Sequence, residues 1–505
     1  MFRSLIAAFI FVVTAQASAF DVTTKYGTLT GAEDGDAIVF KGVPYAAPPT
    51  GDLRWKAPRE PATWSGAKSA LAFGNQCPQA SVANKSVLFG DEDCLYLNIF
   101  RPKTTAGKSP VMVFLHGGGN TLGSASDRVL GQTLYDGVDL SAHNVVVVTL
   151  NYRIGALGFL AHPELRGPDG LEGNYGLLDQ IAALKYVREN IAAFGGDPSR
   201  VTLFGESAGA IDTLVLMTSP LAQGLFQRAI VESGFLSDKP LVQAEQDGVA
   251  FAKAAGCETN TAACLKSLSA FDLIRASQKL SDASIQAAGA TIDGVVLKQS
   301  VLSAMKSGQA MKVPVIIGTN HDEMRTLLSG LVTLPPNFDD VQLHELLVKN
   351  YGADVATQIE TVYPSNQYAT ATLRLEDILG DALTQCPTRQ ITRALLQESP
   401  DVYRYLFSHV SDNAMLAPYG AGHALELPYV FGNMSRMAYS SNEFELSESM
   451  QNWWTAFATL GRPEVRNQVQ WTNAVGDSYL NLDESMMMNS RFHDSQCDFW
   501  DSITR

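Results

Sequence analysis

Residues 201–209 read Val-Thr-Leu-Phe-Gly-Glu-Ser-Ala-Gly, and the run Ala210–Met217 follows. An apolar segment enters a Gly-x-Ser-x-Gly turn, and a segment fit for a helix leaves it. The motif alone decides little in a chain with 41 glycines. Its setting decides more, because a strand, a tight turn and a helix are what an exposed nucleophilic serine needs. Gly205 and Gly209 supply the small neighbours such a turn demands. The start of the helix offers backbone N–H groups to a developing negative charge.

Four further apolar runs flank this one: Val111–Leu115, Val145–Leu150, Ala229–Val231 and Val315–Ile317. Strands covered on both faces read as continuous Val/Ile/Leu runs of this kind. Between the runs at 145–150 and 201–204, Leu177, Ile181, Leu184, Val187, Ile191 and Phe194 recur at helical spacing, and Gly195-Gly196 then Asp197-Pro198 end the pattern. Strand, helix, strand predicts a βαβ unit and a parallel sheet. Residues 338–396 and 443–460 read as helices that flank it. The expectation is an α/β fold with a large, mostly parallel central sheet, in one domain over residues 20–505.

Composition fits that reading. The 505 residues are 46% hydrophobic and 18% charged, enough apolar material for a full core. The net charge of −15 comes from scattered acidic residues, which speaks against nucleic acid and anionic membranes as partners. Residues 1–19 differ from the rest. Arg3 precedes an apolar run from Leu5 to Val13, and Ala-x-Ala follows at Ala15–Ala17 and Ala17–Ala19. This is the layout of a secretory signal peptide, and the run is too short to be a membrane anchor. The mature chain is expected to be exported, to a periplasm or to the exterior.

In that oxidising setting six cysteines predict disulfides. Spacing suggests Cys77–Cys94 and Cys257–Cys264 as local loops, leaving Cys386–Cys497. No Cys-x-x-Cys occurs and no histidine is interleaved at ligand spacing, so metal binding is not expected.

A serine nucleophile needs an oxyanion site, an imidazole and an orienting carboxylate. After the strand at 111–115 comes His116-Gly117-Gly118-Gly119, whose N–H groups no side chain shields. After the strand at 315–317 come Asp322 and Glu323, both at the edge where ligands bind. With the order serine, acid, histidine, the base is one of His344, His409, His423 and His493. His344 lies in a charged helical stretch, His409 ends the apolar run Tyr403–Phe407, and His493 lies beside Cys497. His423 sits in the Gly-rich loop Gly420-Ala-Gly-His-Ala-Leu-Glu426, the setting that suits a base.

Together these residues resemble the type B carboxylesterases, an α/β-hydrolase family related to the cholinesterases. Gly42–Ala46, Leu53–Trp55, Glu92–Asn98, Asn151–Arg153, Gly205–Gly209, Gly318–Glu323 and His423–Gly432 resemble its blocks in order. The resemblance implies an α/β-hydrolase fold and a serine hydrolase of small to medium carboxylic esters, with a small-molecule ester as substrate, in a bacterial exported member. It implies Ser207 as nucleophile, Glu323 rather than Asp322 as the acid, and His423 as the base. It implies the amides of Gly118, Gly119 and Ala208 as oxyanion donors, an ion pair between Glu92 and Arg153, and the same three disulfides. No cofactor and no metal are implied. Glu206 is read either as tuning the site or as a structural residue of the turn.

Two departures bear on substrate. Asn120 stands where the family usually has an aromatic residue, and Met324 where glycine usually follows the acid. Both are expected to reshape the pocket. The loop between Cys77 and Cys94 holds no tryptophan for a quaternary ammonium, and Phe89 is its lone aromatic residue, which disfavours a cholinesterase. Relatives that lack the serine serve adhesion, and the presence of Ser207 disfavours that role.

Overall fold

The computed structural model describes residues 19–104, 107–129, 131–280, 289–331, 334–335, 337–434 and 438–503. The leader read at residues 1–19 lies outside these except for Ala19, the first residue of an edge strand (Ala19–Thr23). The strands that position the site are β1 (Tyr96–Pro102), β2 (Ser109–Leu115), β3 (Val146–Leu150), β4 (Gly196–Glu206), β5 (Arg228–Glu232), β6 (Val315–Asn320), β7 (Val402–Phe407) and β8 (Ser478–Leu482). They lie in the order β1-β3-β2-β4-β5-β6-β7-β8 within a sheet of 13 strands among the described residues. From β3 to β8 every neighbour is parallel. The N-terminal strands up to β1 pair antiparallel except the short Ala67–Ser69, which pairs parallel at the edge, so the sheet is mixed around a parallel centre.

Alternate residues of the central strands feed two cores. Val111, Val113, Leu115, Leu203, Val231 and Ile317 face one side, where helices α1 (Tyr175–Asn190) and α2 (Ala208–Thr218) pack. Met112, Phe114, Phe204, Ile230 and Ile316 face the other, against Trp453, Trp454 and Phe457 of α5 (Ser441–Leu460). Period-two alternation with both faces apolar is why these strands read as unbroken hydrophobic runs. Strand β4 starts earlier than its apolar run predicts. It takes in Asp197-Pro198 through a register shift between Gly196 and Val201. Proline is tolerated there because a bulge removes the need for its N–H.

A third core sits among the C-terminal helices, around α3 (Glu323–Leu331), α4 (Cys386–Leu396) and α6 (Asp494–Ser502). Cys386–Cys497 joins α4 to α6, and Cys77–Cys94 and Cys257–Cys264 close as expected. Beside the long bridge, the buried guanidinium of Arg389 meets Asp494, Asp498 and Asp501 at 3.2, 2.9 and 2.7 Å. No helix among the described residues is long and apolar enough to cross a membrane.

One expected ion pair is not formed. Arg153 does not meet Glu92. Its Nε and Nη2 donate to Asp179 at 2.7 Å each, and its backbone N–H donates to the same carboxylate at 3.0 Å. Asp179 is fully buried on α1, and a buried carboxylate requires a bidentate partner of this kind. Glu92 is gripped instead by Arg54, whose Nε lies 2.8 Å from Oε2 and whose Nη2 meets Oε1.

The disulfides differ in the chain they close, with separations of 111, 17 and 7 residues. Loop entropy ranks them accordingly. Replacing Cys386 and Cys497 together by alanine is expected to cost about 4–5 kcal/mol, against about 2–2.5 kcal/mol for the Cys257–Cys264 pair. Equilibrium denaturation of both double variants checks this, and the reverse ranking refutes it.

Candidate active site

The loops at the C-terminal ends of the parallel strands bring the site together. At the end of β4, Ser207 has φ 55° and ψ −120°, left-handed backbone that a residue with a side chain rarely adopts. The neighbours explain how it is held. A Cβ on Gly205 would stand 2.5 Å from the backbone of Gly209, and one on Gly209 only 1.9 Å from the carbonyl oxygen of Leu115. Both positions therefore exclude any side chain. Ser207 N–H donates to the Glu232 carbonyl at 2.9 Å, and its own carbonyl accepts from Ile211. The serine is half-buried, at the N-terminus of α2.

The loop after β2 folds over this turn. A Cβ on Gly117 would lie 3.0 Å from Ser207 Cβ and 2.6 Å from Glu206 Oε2. Gly118 and Gly119 have φ of 101° and 61°, and the Gly118 carbonyl is turned away into its own turn, accepting from the amides of Thr121 and Leu122 at 3.1 Å. Among the described residues no acceptor meets the N–H groups of Gly118, Gly119 or Ala208.

After β6 the two candidate acids part company. Glu323 is buried, and its Oε2 lies 2.5 Å from His423 Nδ1 while Oε1 accepts from the Asn320 amide at 2.8 Å. Asp322 points to the loop that carries the histidine. Its Oδ2 accepts from the Ala421 amide and its own N–H donates to the Ala421 carbonyl, each at 2.9 Å. Its Oδ1 meets Arg325 at 3.0 Å and His321 at 3.2 Å. Asn320 Nδ2 donates to the Gly422 carbonyl at 2.7 Å and also to Glu426. The other candidate bases lie apart from this group. His344 pairs with Glu360 at the surface, His409 is buried against Asp483 and Glu443, and His493 meets Asp381.

Charge gathers around His423. Its Nε2 lies 3.2 Å from Glu206 Oε1. Burial pushes the imidazole pKa down, but the neighbouring Glu206 and Glu323 more than offset this and hold it above its ordinary value. Burial raises the carboxyl of Glu206, with Glu426 and Glu323 adding to the rise and His423 opposing it. Glu426 is raised by burial and by Glu323, against the hydrogen bond from Asn320. Glu232, bonded to Trp454 Nε1 at 2.6 Å, is pushed well up by burial and Glu426. Glu426 and Glu232 carried no role in the sequence reading. The signal for Glu426 was its place three residues after His423, and Glu232 had none.

Neither departure from the family pattern turns its side chain into the pocket. Met324 is buried in the C-terminal helical core with Leu328 and Leu343. Asn120 is 2% exposed, and its side chain bonds to Asp212 and Tyr152. What opens beside Gly119 is a chamber of about 400 Å³, walled by Leu122, Ile154, Leu157, Leu273 and Ile274. Such a chamber accepts an apolar arm of a bound molecule.

The carboxylesterase family model matches residues 18–500. The chain is 36% identical over 474 residues to para-nitrobenzyl esterase of Bacillus subtilis (strain 168), covering 89% of this chain and 91% of that one. It is 36% identical over 473 residues to fumonisin B1 esterase of Sphingopyxis macrogoltabida, covering 89% and 83%. It is 33% identical over 538 residues to carboxylesterase 4A of Bos taurus, covering 94% of each. A solved structure of PNB esterase superposes with a TM-score of 0.82 at 34% identity, covering 95% of this chain and 99% of that one.

The position of Glu206 gives a pH test. Burial raises the Glu206 carboxyl to about 8, but in its ionised form, 3.2 Å from Nε2, it favours the imidazolium, so removing it lowers the pKa of His423. In Glu206→Gln the pH at which kcat/KM falls on acidification should move down, by about one pH unit. An unchanged or upward midpoint in the pH–rate profile refutes the coupling.

Proposed function

The chain belongs to the carboxylesterase family and is a carboxylic-ester hydrolase, and we propose that hydrolysis runs through Ser207, His423 and Glu323. The observation that carries this reading is the bond from Glu323 to His423 Nδ1, with Nε2 turned toward the Glu206–Ser207 turn. His423 takes the proton of Ser207 Oγ as the oxygen attacks the ester carbonyl. Glu323 orients the ring and stabilises the imidazolium that forms. The amides of Gly118, Gly119 and Ala208 receive the oxyanion. His423 then protonates the departing alcohol, leaving an acyl-serine. Water, deprotonated by the same imidazole, attacks the acyl carbon and restores the serine. The chamber beside Gly119 supports small to medium esters with one apolar arm.

Asp322 holds the loop and Glu323 acts on the imidazole. The disulfides support export, with residues 1–19 as a cleaved leader and residues 20–505 as one domain in a periplasm or outside the cell.

Ser207→Ala should remain folded and lose at least about a thousandfold in turnover of a short-chain aryl ester. Activity within tenfold of the parent excludes Ser207 as nucleophile.

Glu323→Gln should cut kcat by roughly a hundredfold or more, because the ring loses its orienting charge. Asp322→Asn should stay within about tenfold, since an amide oxygen can still accept from Ala421. The opposite ranking in steady-state kinetics of folded variants transfers the acid role to Asp322.

A further inference from the structure

The glycines proposed to hold the oxyanion have no side chains to anchor them, so the direction of their N–H groups depends on the residues at either end. On one side, the His116 carbonyl accepts from Tyr152 Oη at 2.7 Å, and the two rings stack at 4.4 Å. On the other stands Asn120, in left-handed backbone with φ 54°. Asparagine tolerates that conformation better than most residues. Its backbone carbonyl accepts from the Gly155 amide at 2.5 Å. Its side-chain oxygen lies 3.0 Å from the Tyr152 hydroxyl and shares that group's single proton with the His116 carbonyl, and its Nδ2 donates to Asp212 Oδ1 at 3.1 Å.

Asp212 lies on α2, one turn after Ala208. Its second oxygen accepts from Gln180 Nε2 at 2.5 Å. The carboxylate is completely buried, yet both of its oxygens are met. Burial pushes its pKa up to about 7, and the hydrogen bonds from Gln180 and Asn120 oppose that rise. A buried carboxylate is costly to keep when a neutral residue would fill the space. Here it ties together two separate segments. The Gly118–Gly119 loop comes from β2, and the Ala208 amide comes from α2.

We propose that Asp212 and Asn120 are positioning residues of the ester hydrolase, joining the glycine loop to helix α2 so that the amides of Gly118, Gly119 and Ala208 converge on one oxygen. The proposal rests on the reading of those three amides as the oxyanion donors. It needs a carboxamide at position 120, because the side chain donates to Asp212 and accepts from Tyr152 at once. An aromatic residue cannot make that pair of bonds. It also explains why position 120 does not shape the pocket.

The test compares Asp212→Ala, Asn120→Ala, their double variant, Asp212→Asn and Tyr152→Phe with the parent. Four readouts are needed: phosphonylation of Ser207 by a fluorophosphonate, steady-state hydrolysis of a short-chain aryl ester, affinity for an aryl trifluoromethyl ketone and thermal melting. The ketone adds to Ser207 and carries the oxyanion, so its affinity reports on the donors. The two alanine variants should lose about ten- to a hundredfold in kcat, with KM within twofold, and should lose the same factor in ketone affinity. The double variant should be no worse than either single one, because the pair acts as a unit. Asp212→Asn should recover to within threefold of the parent. Its oxygen can still accept from Asn120, and its NH₂ can donate to Gln180 Oε1, which meets no partner among the described residues. Tyr152→Phe removes one hydroxyl and keeps the ring, so it should show a smaller loss of the same kind even if the alanine variants do not fold.

Parent-like kcat and ketone affinity in the folded alanine variants, or in Tyr152→Phe if these do not fold, overturn the proposal. So does a fall in kcat with ketone affinity unchanged. A parent that takes up no phosphonyl group at Ser207 refutes the nucleophile assignment instead, and this proposal falls with it.

Discussion

The tightest packing in the site is at Gly209, where a Cβ would fall 1.9 Å from the carbonyl oxygen of Leu115. That contact sets the separation between two neighbouring strand ends. Because Gly209 sits tight against β2, the first turn of α2 lies beside the glycine loop, and Gly117 reaches the turn that carries Ser207. Parallel neighbours place all these strand ends on one edge of the sheet, so close packing at one point brings separate loops within range of each other. The left-handed backbone of Ser207 follows from the same packing, since the chain must reverse from strand to helix within a single residue.

The remainder of the site is electrostatic. Four buried glutamates, at 206, 232, 323 and 426, surround one imidazole or pack behind it. Their roles separate by what each oxygen touches. Glu323 spends one oxygen on the Asn320 amide and one on His423, which fixes it in position. Glu426 is held by Asn320 and Glu232 by Trp454. Glu206 Oε1 has no geometrically sound hydrogen bond among the described residues although His423 Nε2 is near.

Much of the central sheet was legible in the sequence because its strands are covered on both faces, which leaves an unmistakable apolar run. Strand β7 showed only as the run Tyr403–Phe407, which Arg404 interrupts. The guanidinium is buried and lies 6.0 Å from the centre of the Tyr479 ring, a tertiary partner no local pattern announces. The antiparallel N-terminal strands mix exposed and buried positions and left no run of that sort. For the candidate acid, chain position allowed both Asp322 and Glu323, and the family resemblance favoured Glu323. The structure shows why the two differ, since one carboxylate faces the ring and the other faces the backbone of the loop. The partner of Arg153 was misread because a family pairing says nothing about a competing buried carboxylate on α1. At Asn120 the departure from pattern was visible and its direction was not, because a side chain's orientation depends on the hydroxyl and carboxylate that receive it.

The bridge from Glu323 to His423 spans a hundred residues, and the loops around it come from four different strand ends. No fragment synthesised early contains a working site. Ser207 is made well before His423, and the long Cys386–Cys497 closure waits for the last helix. A chain made only as far as Ser207 therefore lacks the imidazole and carboxylate that the complete chain sets around it. The contacts that define the site therefore close late, after most of the sheet has been made.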